Sequence, residues 1–120
     1  MKKTVVIGAS PTPSRYAHHA VERLHHYGHE VVPIGIREGT IAGIPIVTGT
    51  PALTDVDTVT LYIRPERQKM YYEYILETLQ PKRIVFNPGT ENPQLLNKAR
   101  EAGIQTEMAC TLVMLATGVW

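Results

Sequence analysis

The sequence predicts an α/β domain of Rossmann-like, three-layer α/β/α design, with a five-stranded parallel sheet in the order 3-2-1-4-5. Short runs rich in β-branched residues alternate along the chain with amphipathic helical patterns, which is typical of βαβ units and a parallel sheet. A length of 120 residues accommodates one hydrophobic core. The chain contains no internal repeat, low-complexity tract or long linker. We therefore expect a single domain over residues 1–120.

The first half of the chain predicts two strands and one helix. Residues 4–8 (TVVIG) form a buried strand that runs into a proline-rich loop. Residues 14–27 place apolar side chains at helical spacing, and Gly28 follows them as a typical helix C-cap. The second strand covers residues 30–34. Residues 40–53 are rich in Gly, Pro and Thr, which predicts a loop with at most a short strand.

The second half continues the alternation. Residues 57–63 (DTVTLYI) predict the third full strand, and Pro65 suits the first turn of the helix after it. The side chains of that helix expected to face inward are Tyr72, Ile75, Leu76 and Leu79. The remaining elements are a fourth strand, a helix, a fifth strand and a short final helix, at residues 83–86, 93–102, 104–107 and 110–117.

Composition and charge exclude several classes of protein. The formal net charge of +1 argues against a general nucleic-acid binder, because such a protein normally carries a concentrated basic face. No apolar run approaches the roughly 20 residues of a membrane-spanning helix, and the run at residues 4–7 is too short for a signal peptide. A single cysteine, Cys110, excludes an internal disulfide and fits a reducing compartment. We therefore expect a cytoplasmic protein with no nucleic-acid or membrane partner.

The topology predicts where a ligand would bind. In such sheets ligands lie outside the carboxyl ends of the strands where the strand order reverses, here between strands one and four. The loop after the first strand leads into a helix N-terminus, which is a typical anion site. In that loop, Gly8 and Ala9 allow close approach of the backbone, and Ser10, Thr12 and Ser14 offer hydroxyl groups. The alternative is that Thr12 or Ser14 only caps the helix.

The loops favour a phosphate-rich ligand bound by arginine. Four arginines fall in or beside the converging loops: Arg15, Arg37, Arg64 and Arg67. Their guanidinium groups suit phosphate oxygens, although a single arginine of this kind is more often a solvated surface charge. A dinucleotide fingerprint is absent, because Ser10 and Pro13 stand where it needs glycines, and the second strand does not end in an acidic residue. A phosphate loop of the ATPase type is absent as well.

The chain resembles the small bacterial CoA-binding proteins, which are similar to the CoA-binding domain of the succinyl-CoA synthetase α-subunit. The resemblance rests on an ordered set of segments: Val6 to Arg15, Gly28 to Ile34, Ile41 to Pro45, Pro51 to Leu53, Val56 to Val59, Arg64 to Glu66 and Ala102 to Cys110. Two segments depart from the family. Ile34-Gly35-Ile36 replaces a V-N-P pattern, and Phe86-Asn87-Pro88-Gly89-Thr90-Glu91 stands where the family often has a W-x-Q-x-G pattern.

The resemblance implies CoA or an acyl-CoA as the ligand. The residues that it implicates are Gly8, Ala9, Ser10, Pro11, Arg15, Ile34, Gly35, Arg37, Arg64 and Pro65. To these we add Ser14, for its hydroxyl, and Asn87, whose side chain could substitute for an amide that the family pattern has and this chain lacks. We expect a non-catalytic binding module, with no catalytic or metal-binding residues. The alternatives are a small nucleotide- or CoA-dependent enzyme using the same cleft, and an interaction protein with a vestigial cleft. Whether the chain forms a homo-oligomer or binds a partner protein stays open.

Three further groups suggest chemistry and have simpler interpretations. Five histidines could bind a metal, but their spacing favours side chains that face solvent. Cys110 near a helix N-terminus could form a mixed disulfide with a thiol cofactor, although a small buried apolar role is more common. The carboxylates Glu66, Glu91 and Glu107 lie near the ligand edge and could act as acids or bases.

Overall fold

Three strands buried along their whole length form the middle of the molecule. The computed structural model describes residues 1–120, with these elements: β1 (Thr4–Ile7), α1 (Tyr16–His26), β2 (Val31–Ile34), β3 (Thr40–Ile41), β4 (Ile44–Pro45), β5 (Thr58–Leu61), α2 (Pro65–Gln68), a 3₁₀ turn (Lys69–Tyr71), a π-helical segment (Tyr74–Leu79), β6 (Arg83–Phe86), α3 (Pro93–Glu101), β7 (Gln105–Met108) and α4 (Thr111–Ala116). β1, β5 and β6 are the fully buried strands. Parallel strands that are covered on both faces are expected to be buried along their whole length.

The strands form a five-stranded parallel sheet in the order β2-β1-β5-β6-β7. Beyond β2, Val47 makes an isolated parallel bridge to Ile34. If Val47 is counted as the third strand, the predicted order 3-2-1-4-5 describes this sheet, with β7 added at the far edge. The Rossmann-like fold class is therefore confirmed.

One strand assignment from the sequence is wrong. Residues 57–63 were expected to be the third strand and to lie beyond β2. They contain β5, which instead pairs with β1 and takes the fourth place in the sheet, counted from Val47. The reason is that the outer edge of β2 is already occupied. The backbone N–H of Val47 donates to the carbonyl of Pro33 at 2.9 Å, and that of Gly35 donates to the carbonyl of Val47 at 3.1 Å. The Pro- and Gly-rich segment thus supplies the third strand position.

Successive side chains of the central strands point to opposite faces and build two hydrophobic clusters. On one face, Val5 and Ile7 of β1 pack with the π-helical segment and α3. On the other face, Val6 packs with Ala17, Val21 and other residues of α1, and with α4. This arrangement gives the expected α/β/α layers. None of the helices combines the length and the apolar character that a membrane-spanning segment requires.

The helix predicted after Pro65 is irregular. It divides into α2, a 3₁₀ turn and a π-helical segment, so the inward positions shift. Ile75 and Leu79 are buried as predicted, but the other inward side chains are Tyr71 and Tyr74, whereas Tyr72 and Leu76 are only partly buried. A regular 3.6-residue period does not describe a segment whose turns differ in length.

Candidate ligand-binding cleft

A cleft of about 610 Å³ lies over the carboxyl ends of the parallel strands. It opens between β1 and β5, where the strand order reverses, which is the position expected for a ligand in this fold. Its walls come from the loops after β1, β2, β5 and β6, from the start of α1 and from the segment around α2. The lining residues are Gly8, Ala9, Ser10, Thr12, Arg15, Tyr16, Ala17, Gly35, Ile36, Arg37, Tyr62, Ile63, Arg64, Arg67, Met70, Tyr71, Pro88, Gly89 and Thr90.

Two glycines allow the backbone segments at the base of the cleft to approach one another closely. Gly8 has a φ of +99°, and a Cβ there would lie 2.7 Å from a methyl carbon of Ile63. A Cβ on Gly35 would overlap the carbonyl oxygen of Ala9. Any larger residue at either position would therefore push apart two of the loops that form the cleft.

The first loop is held by its own hydrogen bonds. The backbone N–H groups of Gly8 and Ala9 both donate to the carbonyl of Ile34, at 2.9 and 3.0 Å. The N–H of Thr12 donates to Ser10 Oγ at 3.1 Å. These three amides are therefore not available to a ligand. They instead fix the loop between the ends of β1 and β2.

The N-terminus of α1 carries amides without partners. Its N-cap is Arg15, in an extended conformation and without a side-chain cap. The alternative interpretation, that Thr12 or Ser14 only caps this helix, is thus wrong, because neither hydroxyl makes a cap hydrogen bond to its first turn. The backbone N–H groups of Tyr16 and Ala17, both lining the cleft, make no hydrogen bond in the protein. Such unpaired amides at the positive end of the helix dipole attract an anion.

Positive charge surrounds the cleft without compensation. Arg15, Arg37, Arg64 and Arg67 all line it and are exposed. None of the four takes part in an ion pair within the protein, and no aspartate or glutamate is among the lining residues. Four unpaired arginines stand out in a chain whose formal net charge is +1. The local charge favours a ligand with several negative charges.

Apolar side chains form part of the rim. Tyr16 is 75% exposed, Ile36 75% and Met70 69%, and each comes from a different loop or helix. Below them, the side chain of Tyr62 forms part of the wall. Its hydroxyl is buried without a hydrogen-bond partner, and burial raises the pKa of Tyr62 above its usual value. Tyr62 therefore stays neutral, and its buried hydroxyl offers no polar surface to a ligand.

A buried amide joins two of the loops. Gln68 is fully buried, and its Nε2 donates to the carbonyl of Ile63 at 2.9 Å and to that of Thr90 at 2.8 Å. Asn92 Nδ2 donates in turn to Gln68 Oε1 at 3.0 Å. Since Ile63 and Thr90 both line the cleft, this network fixes the distance between the loops after β5 and β6.

The structure brings together most of the residues predicted from the sequence. Those that line the cleft are Gly8, Ala9, Ser10, Arg15, Gly35, Arg37 and Arg64, and Arg67 joins them. Those that do not are Pro11, Ser14, Ile34, Pro65 and Asn87. Ile34 is buried in the core and acts through its carbonyl. Pro65 starts α2.

Asn87 is a structural residue in this fold. It is 2% exposed, and its Nδ2 donates to Thr60 Oγ1 at 2.6 Å and to the carbonyl of Leu61 at 2.8 Å. Its Oδ1 accepts the backbone N–H of Thr111 at 2.8 Å. The three side-chain hydrogen bonds join the end of β6 to β5 and to the start of α4, which places the side chain below the cleft.

Sequence reasoning missed the lining residues beyond the end of β5 and on the helices. Tyr62 and Ile63 were assigned to a strand that ends earlier, at Leu61. Met70 and Tyr71 lie in the 3₁₀ turn of a helix whose irregularity the sequence period did not predict. The signal that could have found Tyr16 and Ala17 is their position directly after Arg15, at the start of the helix.

The other candidate groups lie outside the cleft. Cys110, Glu66, Glu91 and Glu107 do not line it, and no three His, Cys, Asp or Glu side chains are grouped as a metal site requires. The expectation that the histidines face solvent is wrong for His18, which is 8% exposed. It lies on the side of α1 that packs against the loop after β1.

Comparison with known proteins identifies the family. The family described as "CoA binding domain" matches residues 2–116. No curated protein matches the chain. Among solved structures, an uncharacterized protein is 49% identical, with a TM-score of 0.96, over 100% of this chain and 98% of that one.

Two more distant structures share the fold. A hypothetical protein from Pyrococcus horikoshii OT3 is 24% identical, with a TM-score of 0.85, over 97% of this chain and 82% of that one. A Thermus thermophilus protein, cell-free ID.343, is 22% identical, with a TM-score of 0.84, over 99% of this chain and 90% of that one. Since the family match spans nearly the whole sequence, the chain belongs to the CoA binding domain family.

Proposed function

We propose that the chain is a non-catalytic module that binds CoA or an acyl-CoA in the cleft above β1 and β5. The observation that carries this proposal is the set of four unpaired arginines beside the uncapped N-terminus of α1, with no carboxylate in the lining. CoA carries a diphosphate and a separate phosphomonoester, so its negative charge is divided between two places. Arginines from three loops match a ligand with divided charge better than one with a single phosphate.

The unpaired amides of Tyr16 and Ala17 are the proposed contacts for one phosphate group. Phosphate oxygens accept hydrogen bonds from helix N-termini without any specific side chain. Arg15 precedes these amides directly, so its guanidinium can reach the same group. Arg37 and Arg64, from the loops after β2 and β5, are proposed for the remaining charge.

The apolar rim is proposed to contact the uncharged parts of the ligand. Tyr16, Ile36 and Met70 expose apolar surface at the mouth of the cleft, and CoA offers an adenine ring and a pantetheine arm. Burying apolar surface contributes about 25 cal/mol per Å². The lining contains no Asp, Glu, His, Cys or Lys, so we propose binding without proton transfer or covalent chemistry.

A calorimetric titration of the whole chain tests the proposal. CoA is titrated beside dephospho-CoA, NAD and inorganic pyrophosphate, with wild type, Arg15→Ala and Arg23→Ala. Arg23 is the matched control, because it is exposed on α1 outside the cleft. We expect CoA to bind most tightly and Arg15→Ala to weaken it about tenfold or more, as for a lost charge-assisted hydrogen bond. Absence of CoA binding by wild type, or equal losses in the two variants, would overturn the proposal.

A further inference from the structure

His18 is a buried titratable side chain on α1 that does not line the cleft. It is 8% exposed, and its Nδ1 lies 3.0 Å from the carbonyl oxygen of Ser10, in the loop after β1. Because a carbonyl oxygen only accepts hydrogen bonds, Nδ1 carries the proton and donates it. On its other side, Nε2 lies 3.7 Å from a carboxylate oxygen of Glu22. The ring therefore connects the helix to the loop.

The loop after β1 contains two carbonyls whose peptide bonds lead into proline and therefore carry no N–H. Ser10 precedes Pro11 and Thr12 precedes Pro13, and proline has no N–H. Such a peptide group can present only an oxygen to the cleft, and that oxygen repels an anion. Hydrogen bonds occupy both oxygens in the structure. The carbonyl of Thr12 accepts the backbone N–H of Arg15 at 3.1 Å, and that of Ser10 accepts His18 Nδ1.

We infer that His18 is a positioning residue for the ligand, because it holds the Ser10 carbonyl away from the bound anion. The inference rests on the proposed function. Ser10 lines the cleft whereas His18 does not. The hydrogen bond to His18 therefore directs the Ser10 carbonyl oxygen toward α1 and away from the cleft. Ser10 Oγ also accepts the N–H of Thr12. A change in the orientation of the Ser10–Pro11 peptide would thus disturb the whole entrance to α1.

Two substitutions separate the hydrogen bond from packing. His18→Leu keeps apolar volume and removes the donor. His18→Asn places an amide N–H on the same bonded position as Nδ1, so it can donate to the Ser10 carbonyl. Leu24→Val is the stability control, because Leu24 is fully buried on α1 and six residues further from the loop. His19→Asn, at the exposed neighbouring position, controls for the exchange itself.

The first readout is the Kd for CoA, measured at a temperature where every variant is folded. We expect roughly fivefold weaker binding by His18→Leu, near wild-type affinity for His18→Asn, and no change for Leu24→Val or His19→Asn. A Kd that follows thermal stability in all variants, including Leu24→Val, would show that His18 only stabilises the fold. An unchanged Kd in His18→Leu would also overturn the inference.

The second readout needs no ligand. Hydrogen exchange of the Thr12 amide, whose donor bond to Ser10 Oγ reports the loop geometry, is compared in the same variants. Faster exchange in His18→Leu but not in His18→Asn supports the positioning role, and equal exchange in all variants contradicts it. If wild type binds no CoA, the proposed function fails, and this measurement still decides whether His18 positions the loop.

Discussion

Replacing Asn87 separates a ligand contact from a structural hydrogen-bond network. From the sequence, Asn87 was expected to contact the ligand as a substitute for an amide of the family pattern, whereas the three hydrogen bonds of its side chain all lie within the protein. In Asn87→Ala, the backbone N–H of Thr111 and the carbonyl of Leu61 lose this partner in a buried environment. A buried group left unsatisfied costs about 1–3 kcal/mol. We therefore expect the free energy of unfolding to fall by about 2–4 kcal/mol.

The expected shift in melting temperature follows from the size of the chain. Unfolding entropy of about 2.1 cal/mol/K per residue gives roughly 4 °C per kcal/mol for 120 residues. Calorimetry should therefore record a Tm about 8–16 °C lower. Asn97→Ala, at an exposed position of α3, should change stability by about 0.5 kcal/mol or less.

The Kd for CoA completes the test of Asn87. Because the side chain lies below the cleft, the folded Asn87→Ala protein should bind CoA within about twofold of wild type. A variant with wild-type Tm, or a stable variant with CoA binding weakened more than about tenfold, would refute this account of Asn87.

Three further predictions follow from the structure. Gly35→Ala should lower stability by about 1–3 kcal/mol and weaken CoA binding, because the new methyl group overlaps the Ala9 carbonyl; wild-type behaviour in thermal unfolding and titration would contradict the close approach. His29 Nδ1 accepts the Lys2 backbone N–H at 2.9 Å, and burial, followed by nearby positive charges, lowers the pKa of His29. Since the unfolded chain then binds the proton more readily, stability should fall as pH drops below about 6.5. Denaturant titrations should show a smaller loss in His29→Asn, and an equal loss would remove His29 as the cause. CoA affinity should decrease between low and physiological salt, because exposed arginines are screened; a salt-independent Kd in calorimetry would argue against an electrostatic site.

The parts of the fold that the sequence predicted are those set by burial on both faces. β1 and β6 are short runs that lie between turn residues and do not alternate polar with apolar side chains. Their place in the interior therefore follows from composition alone. The position of the cleft follows in turn from parallel topology. For that reason the loops that contribute Gly8, Gly35 and Arg64 could be named in advance.

The remaining features depend on contacts that no local pattern encodes. Val47 occupies the edge of β2 through two backbone hydrogen bonds, in a segment whose composition resembles a loop. A buried asparagine has the same sequence signature whether it contacts a ligand or a strand, so Asn87 was assigned to the ligand. His18 belongs to a histidine-rich helix, and only tertiary packing distinguishes it from its exposed neighbour His19.

The most direct test of the central claim is a crystal structure of the chain with CoA bound. We expect the ligand in the cleft above β1 and β5, with a phosphate group within hydrogen-bond distance of the Tyr16 and Ala17 amides. We also expect the guanidinium groups of Arg15 and at least one other cleft arginine to contact the phosphates. CoA bound elsewhere on the molecule, or in the cleft with its phosphates turned to solvent, would contradict the account.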